Sequence, residues 1–217
     1  MKKPDLSVGI DLHSNNLTIA MVDSKGKRIK DAKLLCDLRA VEVFFEPYRA
    51  RIGKIAVEST YNWYWLVDGL DDLCYDVVLA NPAGMVQYEG LKHADDKSDA
   101  YFIAELLRLG ILPVGHIYDR KLRGVRDTFR RRMLLVSKRT SLLLSLRNLH
   151  SRTHGCSMDL AGVRNGKLED VVERFCQPYD RLVAEIEKSH IDAFTASIKR
   201  MEKEVLKVAG KLPNYGK

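Results

Sequence analysis

The sequence predicts an α/β protein with a mixed five-stranded sheet and flanking helices, followed by a helical, partly coiled-coil extension. Three observations carry this expectation. Short apolar runs bounded by turn residues recur through the first eighty positions, and helical spacing separates the later ones. Beyond about residue 115 the strand signals stop and only helical periodicity remains, which divides the chain into regions 1–115 and 116–217.

Taken in order, Leu6 to Asp11 ("LSVGID") reads as a strand and Leu17 to Asp23 ("LTIAMVD") as its partner, joined by the polar turn "LHSNN". "DSKGKR" marks a second hairpin turn leading to a third strand, Ile29 to Cys36. Residues 39–51 then carry helical spacing. "KIAVE" is a short buried strand ending at Glu58, and Tyr61 to Leu73 is helical again. "YDVVLANP" supplies the fifth strand. Pro82 opens a short helix, and Asp95 or Asp96 opens a longer one that stops at Gly110. Strands separated by helices imply parallel pairing, here combined with an antiparallel meander.

The second region has a different character. "KLRGVRDTFRRRMLLVSKRTSLLLSLRNLHSR", residues 121–152, carries ten Lys or Arg against one acid, Asp127. Its apolar residues keep helical order, with Leu122, Val125, Phe129, Met133 and Val136 on one stripe and Leu135, Leu142 and Leu149 every seven. A basic amphipathic helix so lopsided in charge fits contact with a phosphate backbone, through Arg123, Arg126, Arg130, Arg131, Lys138, Arg139 and Arg147. A Gly-containing loop, "THGCSMDLAGVRNGK", follows. After Pro178, residues Ile191, Phe194, Ile198, Met201, Val205 and Val208 repeat at 3 and 4, the pattern of a coiled coil. That seam serves equally a dimer or an internal hairpin with the basic helix. Asn214 to Lys217 reads as a frayed end.

A net charge of +7 points to an anionic partner. No run approaches the ~18 apolar residues of a membrane span, and the N-terminal apolar run is too short for a signal peptide, so a cytoplasmic protein without a membrane partner is expected. Cys36, Cys74, Cys156 and Cys176 are scattered, without a CxxC pair, and read as reduced thiols, mostly buried. His150, His154 and Cys156 lack an evident fourth ligand and read as ordinary polar residues at a helix end rather than a zinc site.

"HADDKSDAYFIAELLRLG" places three aspartates in five positions at the mouth of a helix. Acids in a first helical turn complement the helix dipole, which alone could account for them. In a sheet of the order above, however, Asp11 on the central first strand and Glu58 on its neighbour stand side by side at one edge. The following helix can bring Asp99 there, with Asp96 or Asp95 one turn before it. Carboxylates so gathered repel unless cations neutralise them. Two Mg²⁺ or Mn²⁺ ions suit an all-oxygen ligand set, and a pair of such ions is also the chemistry of phosphodiester cleavage.

"VGIDLHSNNLTIAMVD", "AVESTYNWYWLVDGL", "VVLANP" and "HADDKSDAYFIAELLR" together resemble the N-terminal DEDD domain of the insertion-sequence-110 transposases, the bridge-RNA-guided recombinases that include the Piv invertases. The resemblance covers roughly Val8 to Arg152. It implies a RuvC-like, RNase H fold and a metal-dependent DNA transposase or site-specific recombinase. The family's Asp, Glu and D-x-x-D-A fall on Asp11, Glu58, Asp96 and Asp99 with Ala100, so the resemblance selects Asp96 over Asp95. It further implies DNA and a guide RNA as partners, and a homo-oligomer, dimer or tetramer, through the C-terminal helix. The family's second domain supplies a nucleophilic serine; no serine here matches it by motif, so the resemblance implies a chain without that domain, not expected to complete strand exchange alone.

Two other readings compete. A non-catalytic RNA- or DNA-binding and dimerisation module would keep the carboxylates without cutting. An ATPase of the actin and Hsp70 kind would share the "GIDL" strand and hairpin, but its glycine-rich phosphate loops and second lobe are missing from these residues. Tyr61, Trp63, Tyr64 and Trp65 read chiefly as helix-to-sheet packing, and His13 as a polar turn residue.

Overall fold

A computed structural model describes residues 4–91 and 96–209; the side chains of residues 89–98 and of Ala209 lie outside the description. The Asp95 and Asp96 side chains and the segment 214–217 therefore fall outside it too. The chain divides into two compact units, residues 1–117 and 118–217.

The first unit is built on a six-stranded sheet whose strands lie in the order Arg28–Leu35, Asn16–Asp23, Leu6–Leu12, Ile52–Glu58, Val77–Ala80 and Val114–Gly115. β1 (Leu6–Leu12), β2 (Asn16–Asp23) and β3 (Arg28–Leu35) form an antiparallel meander. The turn between β2 and β3 closes because Asp23 Oδ1 accepts from the backbone N–H of Lys25 and Lys27, each at 2.9 Å, while Gly26 takes the left-handed φ of 81°. β4 (Ile52–Glu58) and β5 (Val77–Ala80) join in parallel beyond β1. The sixth strand, β6 (Val114–Gly115), corrects the expectation of five. Two residues after a proline are too few to show alternation, and only pairing with Leu79 and Ala80 makes them a strand.

Alternation along the strands sends two sets of side chains to opposite faces. Val8, Ile10, Leu12, Leu17, Ile19, Met21, Ile55, Val57 and Leu79 pack under α1 (Leu38–Phe45) and α2 (Tyr64–Asp72) in one core. The opposite face carries small residues, Gly9, Ala20, Ala56 and Ala80, and receives α4 (Asp96–Leu109) together with the short α3 (Pro82–Met85). α4 comes so close that a Cβ at Gly9 would stand 2.1 Å from the Ala100 carbonyl oxygen and 2.5 Å from the Ala104 nitrogen. Gly110, at φ 71°, ends α4 as the sequence leads one to expect.

The second unit is a helical hairpin with two short helices packed on it. α5 (Arg120–His154) begins at an Asp119 cap and ends at Gly155, φ 72°. α8 (Pro178–Ala209) returns antiparallel to it, as the pairs Arg132–Glu202, Arg139–Thr195 and Ser145–Glu187 show. Ile191, Ile198 and Val205, seven apart, are buried, so the heptad seam is occupied inside the chain. The loop expected before Pro178 instead contains α6 (Leu160–Asn165) and α7 (Leu168–Val172). Each is too short for a periodic signal, and α6 forms because Asp159 caps the N–H groups of Ala161 and Gly162. Met158, Val163, Val171 and Phe175 from this segment join Leu143, Leu146, Ala184 and Ile191 in the second core. His150 and His154 stack at 4.4 Å, and His150 Nδ1 meets the carbonyl of Cys156 rather than its thiol. All four cysteines are free, but the expectation of burial fails: Cys74, Cys156 and Cys176 are exposed and Cys36 is half-buried.

Gly9→Ala should destabilise the protein by about 1–3 kcal/mol or more, because the obstacle is backbone that cannot rotate away. Gly124→Ala, on α5 with open space around its Cβ position, should instead stabilise by about 0.5–1 kcal/mol. Denaturant unfolding of both variants checks the contrast, and an unchanged midpoint for Gly9→Ala would contradict the close approach.

Candidate functional site

The site sits at the carboxyl ends of β1 and β4. Ile10 pairs with Val57 in the parallel register, so Asp11 and Glu58 follow as the next residues on adjacent strands. Both share the sheet face of Gly9 and Ala56, the face that α4 covers. Asp11 is 4% exposed although it is an acid, and the residue across from it on β2 is the buried Thr18.

Three anchors fix the direction of α4 over this face. Ala100 and Ala104 rest on Gly9; Tyr101 donates from its hydroxyl to Asp31 Oδ1 at 3.1 Å; Arg108 Nη1 donates to the Ser24 carbonyl at 3.3 Å beside the β2–β3 turn. Arg108 is held in turn by Glu105, whose carboxyl it keeps below the usual range through their hydrogen bond. The C-terminal end of α4 is thereby tied to the edge where β1 starts, and its first turn lies at the edge where β1 ends. Asp99, half-buried in that turn, and Glu58 line the same cavity of about 120 Å³ with Pro82, Met85, Val86, Phe102 and Ile103.

Asp96 is the first residue of α4. Among the described residues no group of three His, Cys, Asp or Glu stands close enough to hold a metal ion as placed. Glu58 and Asp99 are thus brought to one cavity, with Asp11 on the strand beside Glu58.

His13 takes a larger part than its position in a turn suggests. Its Nε2 lies 3.1 Å from Asp11 Oδ2, while its carbonyl accepts from Asn62 Nδ2 at 3.0 Å. The spacing of two along a strand was the available sign. Trp63 is buried, and Tyr64 and Trp65 pack against the same core, as helix-to-sheet contacts; Tyr61 alone of the four is largely exposed, at 81%.

The basic residues of α5 divide by environment. Arg130, Arg131 and Lys138 are exposed. Arg123 is buried at 5% and donates from Nε to the Tyr118 carbonyl at 2.8 Å, and Arg126 lies over the Tyr118 ring at 4.5 Å. Arg139 and Arg147 are half-buried. Phe129 and Met133, expected on the packed stripe, are exposed.

A mixed sheet in this order, with helices on both faces, defines an RNase H-like fold. The chain belongs to the DEDD transposases of the insertion-sequence-110 type: that family's model, described as a transposase, matches residues 8–154, more than half of the chain. The match runs from β1 to the last residue of α5. No curated protein matches. Among the described residues no helix is long and apolar enough to cross a membrane.

Burial, followed by the hydrogen bond to Asp31, pushes the Tyr101 phenol up to about 12. The fold therefore holds the neutral phenol, and this contribution to stability is full below the ordinary tyrosine value of ~10 and is lost as pH rises through about 12. Tyr101→Phe should flatten the fall in unfolding free energy between those values. Equal slopes for the two proteins would show that Tyr101 does not hold α4 in this way.

Proposed function

We propose that this chain is a Mg²⁺- or Mn²⁺-dependent DNA transposase or recombinase subunit in which Asp11, Glu58, Asp96 and Asp99 hold two divalent ions. The observation that carries the reading is the buried Asp11 on the central strand, with Glu58 beside it and Asp99 delivered to the Glu58 cavity by a helix packed on Gly9. The donor set is entirely carboxylate, which fits hard divalent cations. Without a cation, like charges favour keeping these side chains apart, in keeping with carboxylates that, among the described residues, share a sheet face without a tight cluster. Two bound ions would polarise the scissile phosphate and offset charge on the leaving oxygen.

The chain's own groups have separate tasks. Asp11, on the most rigid strand, sets the position of the site. His13 orients the Asp11 carboxylate from the solvent side, and Asp99 rides on the first turn of α4, where the helix dipole tolerates negative charge. The exposed Arg130, Arg131 and Lys138 of α5 contact nucleic-acid phosphates, including a guide RNA, as family membership suggests. Homo-oligomer contacts fall to α8, where Tyr179, Leu182, Val183 and Ile186 remain exposed.

A second reading, a non-catalytic nucleic-acid-binding and dimerisation module, draws on the exposed Arg130, Arg131 and Lys138 of α5. Calorimetric titration with Mn²⁺ and cleavage assays on branched or nicked DNA separate the two. Asp11→Asn and Glu58→Gln should weaken Mn²⁺ binding by more than the ~10–100-fold typical of an outer-shell change, and cleavage should fall with it. Absent Mn²⁺ binding, or binding that both variants retain, would favour the second reading.

A further inference from the structure

Within the second unit, α6 and α8 border an open cleft of about 450 Å³, lined by Arg164, Asn165, Gly166, Asp192, Thr195, Ala196 and Lys199. Its charges do not cancel. Asp192 is taken by Lys188, whose fully buried side chain places Nζ 2.5 Å from Asp192 Oδ1. Glu202 is taken by Arg132 at 2.6 Å. Arg139, Arg164 and Lys199 are left without a carboxylate partner among the described residues.

Arg139 stands behind the cleft wall. Its Nη1 donates to the Thr195 hydroxyl at 3.2 Å, its Nε is buried without a hydrogen-bond partner, and burial, followed by the neighbouring guanidiniums of Arg164 and Arg132, lowers its pKa. The half-buried Arg139 beside the exposed Arg164 guanidinium, with the exposed Lys199 and the Thr195 hydroxyl on the same cleft, costs electrostatic energy that a bound anion would recover. Phosphate groups accept from guanidinium forks and ammonium groups in this way.

We propose that this cleft is a phosphate-binding site that takes a backbone phosphodiester of the nucleic acid lying along α5. Arg164 and Lys199 reach the phosphate oxygens from α6 and α8, and Arg139 supplies positive potential through the wall that Thr195 forms. Arg164 and Lys199 stand on α6 and α8, so the nucleic acid is gripped by elements besides α5. This assignment rests on the reading of the chain as nucleic-acid-binding, but not on the metal site.

The test uses the full chain with a mixed-sequence DNA duplex and a mixed-sequence RNA, measuring affinity across a salt series. For the unaltered protein, log affinity should fall steeply with log salt, with a slope reflecting ~4–8 neutralised phosphates. Arg164→Ala combined with Lys199→Ala, both exposed positions, should weaken binding of at least one nucleic acid about tenfold and reduce the slope by about one to two. Arg174→Ala combined with Arg181→Ala removes the same charge away from the cleft and should do neither. Thermal unfolding of each variant confirms that the fold is kept.

Affinity and slope unchanged in Arg164→Ala/Lys199→Ala, while the unaltered protein shows the steep slope, would overturn the cleft assignment alone. A flat salt response of the unaltered protein would overturn it together with the wider nucleic-acid reading. Inorganic phosphate at millimolar concentration gives the last arm. If it raises the thermal midpoint of the unaltered protein but not of the double variant, while nucleic-acid affinity is the same in both, the cleft holds a free small anion, and the backbone assignment is wrong.

Discussion

The close approach of α4 to β1 at Gly9 is the contact on which the first unit depends. A helix resting on a sheet ordinarily keeps a side chain's thickness between the two backbones, but here there is no room for one methyl group. Gly9 removes the side chain on the strand, and Ala100 and Ala104 keep it minimal on the helix. This contact sets how deep α4 sits, while Tyr101 and Arg108 set its direction. The first turn of α4 and the end of β1 then reach the same edge, and Glu58 and Asp99, far apart in the chain, line one cavity. Chemistry follows from packing here, because the helix that closes the sheet's second face is also the helix that carries Asp99.

The second unit solves a different problem. A helix with one acid among its basic residues cannot stabilise itself by charge pairing along its own surface, and α5 borrows its carboxylates from α8. Glu202 takes Arg132, and Glu187 accepts from Ser145 at 2.8 Å. Isoleucine and valine repeats on α8 supply the apolar contact that holds the two helices together. α8 does not neutralise every cation, and the surplus collects where α6 crosses the hairpin. That uneven compensation separates the structural cations, such as Arg123 on the Tyr118 carbonyl, from those free to meet a partner.

Much of this was legible in the sequence, and the limits have physical causes. β1 to β5 could be read because turn residues bracket each apolar run, and Gly110 marks the end of α4 by its left-handed backbone. Asp11 and Glu58 could be paired because strand order brings equal positions in parallel strands together. β6, α6 and α7 escaped notice because two to six residues are too few to display a period, and tertiary pairing makes them regular. The exposure of Phe129 and Met133 was equally hidden: an apolar stripe shows that a helix has a face, not which part of it is covered. The cleft around Thr195 had no linear sign, since Arg139, Arg164 and Lys199 belong to three helices. The pairing of His13 with Asp11 was visible only as a spacing.

The central claim is that these dispersed carboxylates form one cation site at the ends of β1 and β4. Crystals of the chain soaked in Mn²⁺ and measured for anomalous scattering test it most directly. The account predicts two anomalous peaks, ~3.5–4 Å apart, bounded by Asp11, Glu58, Asp96 and Asp99. Manganese found elsewhere, or an empty edge at saturating Mn²⁺ with Asp11 still closed against His13, would contradict it.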